Sequence, residues 1–433
     1  MIIVNGSLAT AAFCGGAELE RQAEIRAPAI CGQFRWWFRT LGGFASLSGR
    51  MNLREQEAMI FGSISGGEGQ AGKLILRIKN GPKPSTTTRD DEKSHAPVGT
   101  DRGYLAFPLK SKRDRDTHEI LEYKGRATYD SRDDAGDPMQ LPTFDLDILW
   151  RGPVLQWDDL KALVCVFANF GSPGFRSRRA LGALCLNNSS LNLTASLARF
   201  ATPSAVAAFS LPVTSTKEPA NDSINKLARW LRACLKTPAP RRVRARGLQD
   251  LAEKPVACRP GALTGRVLKH ALRDWRQHGR SITHQKAPND PQNPGFDYAL
   301  RDHDEGLAGL GRSRPASHPS GHTSEGAVGE SFRPAIGLPI IQFFSSLDVP
   351  RRQATLDWIA TADGGRFASP ILLRPHFDGT VWRALVIFLD TRQWDSTKPV
   401  HLTSGPRAIT RQVLPDLYNA MKRNAAATMT PFP

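Results

Sequence analysis

Two arginine-bearing segments hold the residue types in this chain that are suited to binding chemistry. The first runs Ile25-Arg26-Ala27-Pro28-Ala29-Ile30-Cys31-Gly32-Gln33-Phe34-Arg35-Trp36-Trp37-Phe38-Arg39. Arg35 and Arg39 stand one helical turn apart with Trp36 beside them. Two cations flanking an indole suit a phosphate backbone and a stacked base. The same residues also suit a core helix whose arginines are simply hydrated, and the segment alone leaves both readings open. The second segment is Gly171-Ser172-Pro173-Gly174-Phe175-Arg176-Ser177-Arg178-Arg179-Ala180-Leu181-Gly182. Glycines such as Gly174 let a backbone approach a ligand closely and let amides, with Ser177 among them, converge on an anion. Arg176, Arg178 and Arg179 add planar bidentate donors for phosphate. The alternative is a mobile basic loop. A third contact is available where the first helix begins: free amides near Gly32, with Arg26 upstream, suit an anion. Pro28 equally suits a plain helix start.

Other chemistries find less support. Asp90-Asp91-Glu92 and Asp130, Asp133, Asp134 and Asp137 lie in polar stretches and read as solvated charge rather than Mg²⁺ ligands. None of the ten histidines stands in a catalytic pattern; His270 and His278 fall on or near a basic helix. A metal-free ribonuclease needs no sequence signature, so that activity is the rival reading. Gly306-Leu307-Ala308-Gly309-Leu310-Gly311 lacks the lysine of a phosphate-binding loop. The six cysteines form no Cys-x-x-Cys pair, so reduced thiols are expected and a zinc site is not. No metal or cofactor is expected.

The elements that must position the arginines follow from periodicity. Ile2 to Ala12 reads as a strand and Ala29 to Ala45 as a helix whose core face is Phe34, Trp37, Phe38 and Leu41. Lys73 to Lys79 and Thr143 to Trp150 alternate as strands. Asp158 reads as the cap of a helix with Leu160, Leu163, Val164 and Phe167 inward, ended by Gly171. Leu184-Cys185-Leu186 begins another strand. This βαββαβ order is that of a ferredoxin-like α+β domain, in which RNA binders often use the open sheet face or its loops. Asp145 and Asp147 share a strand face and are expected to meet solvent or a cation. Gly81 to His118 reads as an insertion.

Beyond this domain, Ile224, Leu227, Leu231 and Leu235 mark a helix, and Val267 to Trp275 another. Residues from about 279 to 333 read as a long loop. Ile336 to Phe344, Ala368 to Arg374 and Val381 to Leu389 read as strands, and Thr410 to Met421 as a last helix. Two domains are expected, at 1–195 and 196–433.

The chain has 433 residues and a net charge of +17, an excess that favours a polyanionic partner or an acidic surface. No apolar run is long enough to span a bilayer, and Met1-Ile2-Ile3-Val4-Asn5-Gly6 lacks the basic start of a secretory leader. A cytoplasmic protein is expected.

Three segments in order also resemble a known family: Thr10-Ala11-Ala12-Phe13-Cys14-Gly15-Gly16, then Ile25 to Arg39, then Ile60-Phe61-Gly62-Ser63. They are similar to motifs of the RAMP (repeat-associated mysterious protein) subunits of type III CRISPR effector complexes, in particular the first-numbered RAMP subunit of the type III-B (Cmr) complex. The glycine loop resembles the GG-(x)-GA-R-(x)-RRG-(x)-G segment of the same family. Cys31, Phe38, Pro173 and Phe175 depart from the pattern. The resemblance implies tandem ferredoxin-like (RRM-like) RAMP domains with long loop insertions. It further implies a non-catalytic RNA-binding subunit in antiviral defence, contacting the 3′ region of the guide RNA or capturing target single-stranded RNA beside other RAMP subunits. Two alternatives accompany it: a metal-independent endoribonuclease processing the guide precursor, and a scaffold that binds protein only.

Overall fold

A computed structural model describes residues 1–10, 12–15, 23–65, 68–81, 112–113, 120–122, 128–129, 143–152, 155–175, 177–186, 192–215, 219–234, 330–331, 340–343, 355–359, 367–395, 397–398, 400–404, 407–413 and 416–433. The fold is α+β. In chain order its first part comprises β1 (Ile2–Leu8), α1 (Ala27–Thr40), α2 (Leu53–Phe61), β2 (Leu74–Lys79), β3 (Thr143–Trp150), α3 (Trp157–Phe170) and β4 (Leu184–Leu186). The sheet runs β4-β1-β3-β2 with every neighbouring pair antiparallel. That order is fourth-first-third-second, with helices in the two crossover connections.

Boundaries differ from the sequence reading for local reasons. β1 stops at Leu8, and Ala12–Phe13 forms a separate short strand. α1 starts at Ala27, one residue before Pro28, and ends at Thr40 rather than Ala45. Gly42 and Gly43, at φ 77 and 81, turn the chain where a helix could not follow. Asp158 is not the cap of α3; Gln156 holds that position, and Asp158 lies in the first turn, where carboxylates favour the helix.

The inward face of α1 is as its spacing predicts: Phe34, Trp37, Phe38 and Leu41 are buried. Phe34 meets Phe167 edge-on at 4.8 Å, and Trp37 lies 5.5 Å from Phe170, so α1 packs on α3 through aromatic rings. Phe144, Leu146 and Ile148 of β3 are buried in the same core. The opposite sheet face carries the acidic residues: Asp147 pairs with Lys79 at 2.5 Å, and Asp145 accepts hydrogen bonds from Asn5 and Asn80.

Later in the chain come β5 (Val206–Pro212), α4 (Pro219–Cys234), β6 (Ile371–Phe377), β7 (Trp382–Leu389), α5 (Asp416–Thr428) and β8 (Thr430–Phe432). Their sheet runs β6-β7-β5-β8, which is again fourth-first-third-second read from β8. β5 and β8 were not read from the sequence. The expected helix from Thr410 to Met421 is corrected: Arg407–Val413 is a strand, and α5 begins only at Asp416. A further sheet orders Glu330–Ser331, Arg407–Val413, Val400–Ser404, Thr355–Ile359 and Ile340–Phe343. The expected helix at Val267 to Trp275 and nearly all of the loop at 279–333 lie outside the described residues.

The chain divides into two compact units. One comprises residues 1–227, 372–391 and 430–433; the other comprises 228–371 and 392–429. In the first unit a single apolar cluster joins both four-stranded sheets, from Val4 and Leu8 to Leu385, Ile387 and Leu389. In the second, Trp230 of α4 donates through Nε1 to Asn424 of α5 at 2.9 Å.

Candidate nucleic-acid interface

The motifs separated in sequence meet in the first unit. Asn52 starts α2 with a reciprocal cap: its side chain accepts from the Glu55 amide at 3.0 Å, and its own amide donates to Glu55 at 2.8 Å. That fixes the phase of α2 so that Glu57 faces α1. Arg39 donates to both oxygens of the Glu57 carboxylate, and Arg35 donates to one of them through Nε. Arg35 also donates to the Gly62 carbonyl at 2.9 Å. The helix motif and the Ile60-Phe61-Gly62-Ser63 motif are thus held together by side-chain bonds. Hydrogen bonds from Arg39, then Arg35, hold the Glu57 carboxyl below the usual range. Arg39 and Arg35 nevertheless keep 45% and 34% of their side chains exposed, so one carboxylate shares two cations that both reach solvent.

Trp36 is half-buried, edge-on to Trp37 at 4.9 Å. The guanidinium of Arg178 lies over its ring at 5.0 Å. This contact brings the glycine loop to α1. Arg178, Arg179 and Ser177 are half-buried, and Phe175 presents an exposed ring beside them. Arg176 lies outside the described residues. Arg26 is exposed at the cap position of α1, 3.8 Å from Glu24. Gly32 is exposed on α1, and a side chain built there would meet nothing within 4 Å.

The described part of the loop is not the mobile segment that its composition suggests. The Phe175 amide donates to the Phe13 carbonyl at 2.8 Å, which ties in the first family-like motif. The Ala180 amide donates to the Leu373 carbonyl at 2.8 Å, and the Leu373 amide donates to the Arg178 carbonyl at 3.0 Å. The hydroxyl of buried Thr10 donates to the Ala180 carbonyl and accepts from the Ala183 amide. Two amides expected to converge on an anion are therefore engaged within the protein. Gly174 and Gly182 have φ of 87 and 69, and a Cβ at either would lie 2.6 and 2.2 Å from the Phe13 and Pro173 carbonyl oxygens. Their role is backbone geometry.

Sequence reasoning missed three residues here. Glu57 carried no signal because its partners lie on another helix. Arg374, fully buried in β6, gave no sign that it would meet the end of α3. Phe175 stood out only as a departure from small residues. His376, two residues beyond Arg374, bonds Asn169 at 2.9 Å; burial first, then the Arg374 charge, lowers its pKa to about 3, so it is neutral. Among the described cysteines, Cys14, Cys165 and Cys185 are buried and Cys31 is half-buried, and none of the four forms a disulfide. Among the described residues no group of three or more His, Cys, Asp or Glu is placed to hold a metal ion, and no helix is long and apolar enough to cross a membrane.

Residues 8–185 match the model of the RAMP superfamily. No curated protein matches the sequence. Among solved structures, the chain is similar to apo Cmr1 from Pyrococcus furiosus, at 12% identity over 100% of this chain and 98% of that one, with a TM-score of 0.43. It is also similar to a chain of the Type III-B Cmr-beta complex bound to cognate target RNA, at 11% identity over 97% and 100%, with a TM-score of 0.34.

Proposed function

Because residues 8–185 match the model of the RAMP superfamily, we propose that this chain is a non-catalytic, cytoplasmic RNA-binding subunit of a type III-B CRISPR ribonucleoprotein. Its ligands are guide RNA and target single-stranded RNA, and its neighbours are other RAMP subunits. The observation that carries the reading is the meeting of Trp36 with Arg178, which places two arginine-bearing motifs on one surface. Arg35, Arg39, Arg176, Arg178 and Arg179 contact phosphates, with Arg26, Gly32, Gly174 and Ser177 bordering them. Trp36 and exposed Phe175 offer rings for bases. Asp147, paired with Lys79, and Asp145, bonded to Asn5 and Asn80, lie on the other sheet face, and their carboxylates make it a poorer surface for phosphate. The repeated strand order supports tandem ferredoxin-like domains, divided near residue 195.

The test is binding of single-stranded RNA by the purified chain as salt is varied. Each phosphate neutralised contributes about −0.7 to the slope of log affinity against log salt, so a slope steeper than about −2 is expected. A flat response sinks the reading and favours a protein-only scaffold. Discrete products from repeat RNA in EDTA, lost when one His, Asp or Glu is replaced, would instead establish the ribonuclease.

A further inference from the structure

Both ends of the loop carrying Arg176, Arg178 and Arg179 bond to one guanidinium, 203 residues beyond Gly171 and 190 beyond Leu184. Arg374 of β6 donates through Nε to the Gly171 carbonyl at 3.0 Å, where the loop leaves α3. It donates through Nη2 to the Leu184 carbonyl at 2.7 Å, where the loop enters β4. It also donates to the carbonyls of Ala168, at 2.7 Å, and Asn169 in the last turn of α3. All four acceptors are main-chain carbonyls. The last carbonyls of a helix lack intrahelical partners and form its negative end, which suits a buried cation. The planar fork of arginine bonds in several directions at once, whereas an ammonium on a flexible stem does not reproduce that arrangement. The preceding residue, Leu373, bonds the middle of the loop at Arg178 and Ala180. Ala180 has φ 68, in the left-handed region, and such strain persists only where surrounding bonds over-determine it.

We propose that Arg374 is a positioning residue: it clamps both ends of the loop 171–184, and so presents the loop arginines to RNA without touching RNA itself. The proposal rests on the RNA-binding reading above. β6 begins at Ile371, well after the first sheet ends at Leu186, so the interface of residues 8–185 is completed by sequence outside them.

The test uses the full chain without its RNA, by amide hydrogen exchange. In the wild type, the amides of Phe175 and Ala180 are expected to open together with that of Leu373, at one rate. In Arg374→Lys, amides of residues 172–183 should exchange at least tenfold faster while those of α1 keep their rate. RNA affinity per folded molecule should fall at least fivefold, with a shallower salt slope. Arg178→Ala/Arg179→Ala is measured beside it to establish that the loop grips RNA. Unchanged loop exchange in Arg374→Lys overturns the clamp. If that variant does not fold, separate opening of the loop and Leu373 in the wild type overturns it equally. Faster loop exchange with unchanged affinity, where the double arginine variant does lose affinity, overturns the positioning role. Wild-type protein that binds no RNA defeats the RNA reading, and the exchange measurements still decide whether Arg374 holds the loop.

Discussion

The guanidinium of Arg178 stacks on the indole of Trp36, 5.0 Å from the ring centre, and joins the glycine loop to α1. A cation over an indole contributes about 0.5–1 kcal/mol at a partly exposed site. A double-mutant cycle of Trp36→Leu and Arg178→Ala, followed by urea unfolding without RNA, should give a coupling of that size. With RNA present, Trp36→Leu should also weaken binding by about 1–3 kcal/mol if a base shares the ring. Zero coupling would show that the two side chains do not meet in solution.

Glu57 braces α1 against α2, and its replacement has a distinct pH signature. Glu57→Gln removes charge-assisted bonds from partly hydrated arginines, and a loss of about 1–2 kcal/mol is expected at neutral pH. The folded carboxyl titrates below its unfolded value, held there first by Arg39. Its contribution is therefore complete above the unfolded value of about 4.3 and disappears as pH falls through the lower folded value. Unfolding curves of wild type and variant should differ at neutral pH and converge in acid. A gap that stays constant with pH would exclude the ion pair as its cause.

Gly32 and Gly182 should respond in opposite ways to alanine. Gly32 lies on an exposed helical face with nothing within 4 Å of the added methyl, so Gly32→Ala should stabilise the fold by about 0.5–1 kcal/mol. If an RNA backbone passes closely over α1, the same variant should lose RNA affinity while its melting temperature rises. Gly182→Ala puts a methyl 2.2 Å from a main-chain oxygen at positive φ, and should destabilise by more than about 1 kcal/mol. Melting curves and RNA titrations of both variants check this.

Trp37 is fully buried, and Trp37→Ala should cost about 3–5 kcal/mol. Its indole Nε1 is buried with no hydrogen-bond partner, a condition that itself costs about 1–3 kcal/mol. Trp37→Phe removes that burden along with part of the ring, so its loss in urea unfolding should be much the smaller. Equal losses for the two variants would mean that the indole nitrogen is satisfied in solution.

Features with a short period were legible in the sequence. Phe34, Trp37, Phe38 and Leu41 announce one helical face, and the alternation around Phe144, Leu146 and Ile148 announces a strand buried on one side. Thr410 to Val413, expected in the last helix, instead belong to the strand Arg407–Val413. In the candidate interface the basic residues were legible by type. Their internal partners were not: Glu57 lies on a different helix, and Arg374 is 203 residues from Gly171. Neither periodicity nor composition encodes such pairings. They exist only once the chain has folded.

That separation of 203 residues also has a meaning in time. A ribosome adding about 5–20 residues each second needs roughly 10–40 s to travel from Gly171 to Arg374. During that interval the emerging chain holds its loop arginines without the guanidinium that fastens them. The finished grip therefore appears only once Arg374 itself has been made, and a truncated product ending before Arg374 lacks it.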